Sequence, residues 1–275
     1  GIVKMFKINN LTYQYDKTRK ALDNVSMDFN KGDIIGIIGS NGSGKSTLFN
    51  NLMGILKSTE GEILYNGEQI KYDKKSLYNL RKEVGIVFQD PEKQIFYSMV
   101  YDDIAFALRN IGMDEKTIKD RIHTALEAVN GLQFIDRPVH NLSFGQKKRV
   151  AIASVVAMEN KLVLLDEPTA GLDPISTRAI VDIIKGLNDR GVKIIISSHD
   201  MNLIYEICDY VYVLNQGVLI NEGTRAEVFV NEEKINEAGL ELPWLVKLHK
   251  NMGLPLFPKE EDLYSFWNKQ AQKTV

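Results

Sequence analysis

One nine-residue stretch of the sequence, Gly39–Thr47, has the residue types and spacing of a phosphate-binding loop. It follows the pattern Gly-x-x-x-x-Gly-Lys-Ser, in which the glycines allow backbone N–H groups to face phosphate oxygens. In this motif the lysine, here Lys45, reaches the β- and γ-phosphates, and the serine, here Ser46, ligates Mg²⁺. The stretch therefore predicts a nucleoside triphosphate site. Its predicted binding residues are Gly39, Ser40, Asn41, Gly42, Ser43, Gly44, Lys45, Ser46 and Thr47.

Two adjacent acidic residues, Asp166 and Glu167, follow the apolar segment Leu162–Leu165. Placing two carboxylates at the end of a buried strand is unfavourable unless a cation or a reaction uses them. Asp166 is therefore predicted to hold the Mg²⁺ shell, and Glu167 to act as general base for a water at the γ-phosphate. A strand that merely ends in solvated acids is common, but it fits poorly beside a phosphate loop.

Three further residues are candidates because of their places in the pattern. Gln89 and His199 each follow a short apolar segment, Val84–Phe88 and Lys193–Ser198. Ligands of an open α/β sheet bind beyond the carboxyl ends of the strands, so Gln89 is placed to meet the metal or a water. His199, taken alone, is more often structural than catalytic. Tyr15 is as consistent with stacking on a purine ring as with a place on a sheet surface.

The elements that must position these residues predict an α/β protein. The apolar, β-branched segment Ile34–Ile38 precedes the loop as a buried strand, and a helix begins near Ser46. Alternating apolar and polar residues over 5–30 predict an antiparallel sheet against this core. Asn66-Gly67 and Asn215-Gln216-Gly217 predict the turns of two hairpins.

Between about residues 90 and 159 the pattern becomes helical, with Asp114 as a predicted N-cap. Apolar residues recur there at helical steps, which predicts one buried face. They are Ile118, Ile122, Ala125 and Val129. The predicted fold is a P-loop NTPase core with an antiparallel β subdomain, a helical subdomain inserted at about 90–159, and a C-terminal helical extension. The predicted division is residues 1–230 for the nucleotide-binding domain and 231–275 for the extension.

The bulk properties exclude few functions. A formal net charge of −2 over 275 residues gives no sign of the excess positive charge that is typical of nucleic-acid-binding proteins. The single cysteine, Cys208, rules out an internal disulfide and is expected to be a small buried apolar residue. We find no apolar run near the length of about 18 residues that a membrane-spanning helix needs.

Taken in order, the motifs resemble those of the nucleotide-binding subunits of ATP-binding-cassette transporters. The resemblance covers roughly residues 3–230. The one departure is Phe144, where the family most often has Gly or Ala. The matching motifs are the Walker A loop Gly39–Thr47, the Q-loop Val87–Pro91, the signature Leu142–Gln146, the Walker B strand Leu162–Asp166 with Glu167, the D-loop Ala170–Asp173 and the switch His199.

This resemblance implies ATP hydrolysis between two cassettes, identical or paralogous, that pack head to tail. Tyr15 would stack on adenine, and Lys45 and His199 would stabilise charge on the γ-phosphate, with Glu167 as base. Ser46, Gln89 and Asp166 would surround Mg²⁺. Asp173 belongs to the D-loop. The signature residues that would meet the partner's ATP are Leu142, Ser143, Phe144, Gly145 and Gln146. The resemblance also implies integral membrane subunits as partners, a peripheral place at the cytoplasmic face of the cell membrane, and no nucleic acid.

A narrower resemblance is to the ATPases of energy-coupling-factor importers, which take up vitamins and transition-metal ions. It rests on Phe88–Phe96, Asp102–Phe106 and Leu240–Leu245, and the cobalt importers are the favoured branch. The alternative is a soluble cassette ATPase that acts on DNA or ribosomes. Such proteins usually carry two cassettes or long coiled-coil insertions, and this sequence has neither. A scaffold without turnover is disfavoured by the intact Glu167 and His199.

The segment that leads into the predicted helical subdomain has two interpretations. Ile95, Phe96 and Met99 line a groove for a helix of a membrane partner, or they belong to the core of the helical subdomain. The sequence leaves open the transported substrate, the identity of the membrane subunits, the role of the extension, and whether the second cassette is identical.

Overall fold

The computed structural model describes residues 4–273. Within that range the chain forms ten strands and eleven α-helices. The strands are β1 (Phe6–Gln14), β2 (Lys20–Asp28), β3 (Ile34–Ile38), β4 (Glu60–Tyr65), β5 (Glu68–Gln69), β6 (Val84–Val87), β7 (Leu162–Asp166), β8 (Lys193–Ser198), β9 (Tyr210–Asn215) and β10 (Val218–Thr224). The helices are α1 (Lys45–Leu52), α2 (Lys74–Glu83), α3 (Val100–Asn110), α4 (Glu115–Ala128), α5 (Phe144–Ala157), α6 (Pro174–Asp189), α7 (Met201–Ile207), α8 (Arg225–Val230), α9 (Glu232–Glu237), α10 (Trp244–Met252) and α11 (Glu260–Lys273). The predicted division also includes residues 1–3 and 274–275, which lie outside the described residues.

A six-stranded sheet forms the centre of the molecule, in the order β10-β9-β3-β8-β7-β6. The strands from β9 to β6 are parallel, and β10 pairs antiparallel with β9 at one edge. Every residue of β3 and of β7 is buried, as expected for parallel strands that read as continuous apolar runs. The carboxyl ends of β3, β6, β7 and β8 therefore lie at one edge of this sheet.

A second, antiparallel sheet has the order β2-β1-β4-β5. Its apolar face and α1 share one core with the central sheet, through Phe6, Phe29, Phe49 and Ile37. The turn between β4 and β5 has positive φ at Asn66 and Gly67, as two-residue hairpin turns require. The prediction of an antiparallel sheet against the core is confirmed.

The helical region consists of α3, α4 and α5, joined by loops and short 3₁₀ turns rather than by continuous helix. The Asp114 side chain accepts a hydrogen bond from the backbone N–H of Thr117, so this residue caps α4 as predicted. The apolar face predicted for α4 is buried, and it packs in the main core. The α/β fold with an antiparallel sheet and a helical insertion is confirmed.

The exposure of Phe96 contradicts one of the two interpretations of the segment from Ile95 to Met99. The Phe96 side chain is 82% exposed, so the proposal that it belongs to the helical core is wrong. The backbone N–H groups of Phe96 and Tyr97 donate to the half-buried carboxylate of Asp103, which fixes the segment on the surface of α3. Ile95 packs against the core, and Met99 is half-buried. The exposed aromatic surface is thus formed by Phe96 with Tyr97 and Phe106, not by the predicted trio.

The C-terminal helices pack on the central sheet. Ile235, Leu242, Leu245 and Val246 are buried in the same core as the sheet residues. The backbone N–H of Trp244 donates to the side chain of Asn202. Within residues 4–273, none of the helices combines the length and the apolar character that crossing a membrane requires.

Cys208 follows α7 and is buried, as expected for a small apolar residue. Burial raises the pKa of its thiol, so the reactive thiolate form is disfavoured.

Candidate functional site

The phosphate loop connects the buried end of β3 to the first residue of α1. Gly44 is the N-cap of α1 with φ of 110°, a conformation that side chains rarely adopt. A Cβ at Gly44 would lie 2.8 Å from the carbonyl oxygen of Ala21, and one at Gly39 would lie 2.6 Å from that of Leu214. The sequence must therefore place glycine at both positions for the loop to pack here. The N-terminus of α1 faces the loop, which suits an anion.

Lys45 occupies the buried floor of the loop, with 6% of its surface exposed. Its ammonium donates to the carbonyl oxygens of Gly39 and Ser40 and lies 3.6 Å from Glu167 Oε1. Burial lowers the pKa of Lys45, and the Glu167 carboxylate opposes that shift. The structure thus brings together the cation and the carboxylate that the sequence predicted as catalytic.

Asp166 and Glu167 lie at the end of β7 and have separate surroundings. Ser46 Oγ donates to Asp166 Oδ2 at 2.8 Å, and Ser197 Oγ donates to Asp166 Oδ1 at 2.7 Å. Glu167 is instead joined to His199, whose Nδ1 lies 3.0 Å from Glu167 Oε1. One carboxylate therefore faces the serine of the loop, while the other faces the lysine and the histidine.

His199 lines a separate cavity, together with Asn202 and residues of the C-terminal region such as Trp244. A cavity of about 450 Å³ is lined by Lys45, Ser46 and Glu167. Tyr15 lies at its mouth, 63% exposed, and the Tyr15 hydroxyl is 2.8 Å from Thr47 Oγ1. A flat, accessible aromatic ring held in this way suits stacking on a base. Asp16, Arg19 and Ala21 also line the cavity, and sequence reasoning missed them because no motif marks that loop. The lining residues are Tyr15, Asp16, Arg19, Ala21, Asn41, Gly42, Gly44, Lys45, Ser46, Thr47, Gln89 and Glu167.

The residues predicted to surround Mg²⁺ offer oxygen donors. Ser46 and Gln89 line the cavity, and Asp166 is hydrogen-bonded to Ser46. Oxygen ligands suit this hard cation, which is usually held by one or two carboxylates together with substrate phosphates. In the part of the chain that the structure describes, no group of three or more His, Cys, Asp or Glu side chains forms a metal site. The oxygen donors of Ser46, Gln89 and Asp166 fit Mg²⁺ bound together with a nucleotide.

The signature segment is not brought to this cavity. Ser143 is the N-cap of α5 and forms a capping box with Gln146, while Leu142 is buried. Phe144 is 41% exposed. The D-loop lies beside it: a Cβ at Gly145 would meet Ser176, and one at Gly171 would lie 3.6 Å from the Phe144 ring. Asp173 caps α6. The segment instead presents a helix N-terminus at the surface, where an anion from another molecule can bind.

Lys148 is a buried group that sequence reasoning missed. Its side chain is 1% exposed, and its ammonium donates to the carbonyl oxygen of Glu167 at 2.9 Å. Burial lowers its pKa to about 8, an effect that the carboxylates of Glu167 and Asp166 oppose. A signal was present, since Lys148 shares a helix face with Ala151, Ile152 and Val155, which are buried.

Comparison with known proteins gives one consistent result. The family model described as ABC transporter matches residues 22–170. Cobalt import ATP-binding protein CbiO of Salmonella typhimurium is 45% identical over 97% of this chain and 98% of its own length. Energy-coupling factor transporter ATP-binding protein EcfA of Methanocaldococcus jannaschii is 45% identical over 86% of this chain and 85% of its own length.

Two solved structures are similar along most of the chain. That of cbiO1 from Clostridium perfringens, described as part of the ABC transporter complex cbiONQ, has a TM-score of 0.78 and 41% identity, covering 90% of this chain and 100% of its own. The dimeric cassette MJ0796 bound to ADP and Pi has a TM-score of 0.72 and 28% identity, covering 80% of this chain and 99% of its own.

Proposed function

The chain belongs to the ABC transporter family as an ATP-binding subunit that hydrolyses ATP, and we propose that it energises an energy-coupling-factor importer of cobalt. Another transition-metal ion or a vitamin is the alternative cargo. The observation that carries the proposal is the buried pair of Lys45 and Glu167 at a cavity of about 450 Å³, with the exposed His199 hydrogen-bonded to Glu167, in a chain similar to named cobalt-import subunits.

Within the cavity each side chain has a proposed role. Tyr15 stacks on the adenine, and the N–H groups of the loop from Gly39 to Thr47 bind the phosphates. Lys45 and His199 stabilise charge on the γ-phosphate. Glu167 accepts the proton of the attacking water. The hydrogen bond between His199 and Glu167 supports this arrangement, because it turns the carboxylate toward the lysine.

Ser46, Gln89 and Asp166 are the residues that would hold Mg²⁺. When bound, the cation would neutralise part of the charge on the phosphates. The two hydrogen bonds of Asp166, from Ser46 and Ser197, hold its carboxylate in place for this task.

A second cassette completes the site. Ser143 and Gly145 lie at the start of α5, with backbone N–H groups at the surface, and we propose that they bind the γ-phosphate of an ATP held by the partner. Asp173, at the start of α6, lies in the D-loop that packs beside them. The dimeric form of a similar cassette supports a head-to-tail pair, identical or paralogous.

The membrane subunits dock on the helical region in this proposal. Phe96, Tyr97 and Phe106 form an exposed aromatic surface, one short segment away from Gln89 at the cavity. Exposed apolar patches of this kind bind partner helices. The chain is then peripheral, at the cytoplasmic face of the cell membrane.

Residues 1–230 form the cassette in this proposal, with the insertion at about 90–159, and 231–275 form the extension.

Uptake measurements test the identity of the transported substrate and the requirement for ATP hydrolysis separately. The chain is co-expressed with the membrane subunits of an energy-coupling-factor importer, and uptake of radioactive cobalt is compared with uptake of nickel and of vitamins. Glu167→Gln serves as the control that retains assembly and lacks turnover. Cobalt uptake that requires an intact Glu167 supports the proposal. Uptake of a vitamin alone overturns the cobalt assignment, and assembly without any ATP-dependent uptake overturns the importer.

A further inference from the structure

Lys148 is a buried cation, and none of the roles proposed above involves it. It lies one turn and a half into α5, the helix that begins at the signature, and its side chain is 1% exposed. Burying a lysine is unfavourable unless its charge is compensated. The chain buries this lysine although an apolar residue of similar volume, such as Met, would fill the same space without a charge. A function other than packing is therefore expected.

The contacts of Lys148 converge on Glu167. Its ammonium donates to the Glu167 carbonyl oxygen at 2.9 Å, and it lies 5.4 Å from the centre of the Phe144 ring. The same carbonyl also accepts a bond from the N–H of Ala170, at 3.2 Å. The carboxylates of Asp166, Glu167 and Asp90 attract the ammonium.

The backbone of Glu167 needs such support. Its φ is 47°, in the left-handed region that residues other than glycine rarely adopt, because the Cβ then crowds the backbone. Backbones strained in this way persist where their surroundings fix them on several sides. The N–H of Glu167 donates to the carbonyl and the hydroxyl of Ser197, so β8 holds one side of the residue. Lys148 holds the other side from α5.

We propose that Lys148 is a positioning residue, which fixes the Glu167 peptide so that its carboxylate stays turned toward the reacting phosphate. The proposal rests on the role of Glu167 as general base. The contact also joins that base to the helix whose first residues face the second cassette.

The test is Lys148→Met in the full-length chain, with ATP hydrolysis and melting measured on the same preparation. We expect kcat to fall by about 10- to 100-fold while KM for ATP stays within about threefold, because the change misplaces the base and leaves the phosphate loop intact. We expect the melting temperature to fall only moderately, because the change removes one hydrogen bond to the Glu167 carbonyl while the N–H of Ala170 still donates to it. Lys147→Met is the matched control: Lys147 is the neighbour on α5 and pairs with Glu92.

Two further variants separate the possible failures. In Lys148→Met combined with Glu167→Gln, hydrolysis is expected to equal that of Glu167→Gln alone, because Lys148 acts through Glu167. Wild-type kcat in Lys148→Met overturns the proposal, as does additive loss in the double variant or a raised KM with a strongly lowered melting temperature. If Glu167→Gln itself hydrolyses ATP at the wild-type rate, the role of Glu167 fails instead. Should Lys148→Met not fold, Lys148→Gln repeats the test, with intermediate kcat expected because its amide can still donate.

Discussion

The phosphate loop and the signature segment, the two parts of the chain proposed to meet a nucleotide, differ in how much of their surroundings the chain itself supplies. Around Lys45, one chain provides the glycine loop, two carboxylates, a histidine and a buried floor. Around Ser143, it provides only a helix N-terminus, with a half-exposed Phe144 beside the D-loop. The first is a preorganised site, and the second is a surface. In the proposed function, one chain therefore supplies most of the nucleotide site, and a second chain supplies the rest.

The largest expected effect concerns Glu167, the proposed general base beside the phosphate loop. Glu167→Gln should lower kcat by about 100-fold or more while ATP still binds, because an amide cannot accept a proton from water. It should also trap the ATP-bound dimer, which size-exclusion chromatography with ATP detects. Glu115→Gln, an acid on the surface of α4 paired with Arg109, is the control. Turnover near the wild-type rate in Glu167→Gln would remove this residue from the base role.

Removal of the loop cation should affect binding itself. Lys45→Ala deletes a charged contact to the phosphates of the kind worth about 1.5–3 kcal/mol, which corresponds to about 10- to 100-fold in ATP affinity. Isothermal calorimetry measures this loss in the full-length chain. Lys57→Ala, which changes a lysine outside the cavity lining, should bind ATP as the wild type does. Equal affinity in Lys45→Ala would contradict the assignment of the loop.

The signature surface should show the opposite pattern. Ser143→Arg should leave ATP binding by single chains unchanged and block closure of the dimer, lowering hydrolysis. Since Ser143 also caps α5, loss of the cap alone costs about 1 kcal/mol. Ser143→Asp therefore accompanies it, because aspartate keeps the cap and places a negative charge toward the partner's phosphate. If either variant loses ATP affinity as Lys45→Ala does, the division between the two segments fails.

The smallest effect on hydrolysis is expected at the aromatic surface. Phe96→Asp should leave the melting temperature and the hydrolysis of the isolated chain near wild type, because the side chain is already exposed. It should abolish co-purification with the membrane subunits. Tyr264→Asp changes another exposed aromatic, on α11, and should leave assembly intact. A complex that survives Phe96→Asp would exclude this surface as the docking site.

Features that depend on neighbours in sequence could be predicted from the sequence. The strand, the loop and the helix around Gly39–Thr47 are contiguous, so their geometry follows from apolar runs, glycine and helix capping. The cap at Asp114 and the turn at Asn66-Gly67 are local in the same way. For these features the residues that decide the conformation are also the residues that adopt it.

Tertiary structure alone decided which distant residues meet. Ser46 bonds to Asp166 across 120 positions, because β3 and β7 both lie beside β8 and end at the same edge of the sheet. The sequence shows that Phe96 is apolar, but it does not distinguish a place in the core from one on a surface that binds a partner, since both bury apolar area. Lys148 could not be identified from the sequence, because a lysine in a helix is usually exposed to solvent. Its ammonium is buried here because α5 lies close to Glu167, whose carbonyl accepts its hydrogen bond. These choices depend on contacts between elements, and spacing along the chain does not encode them.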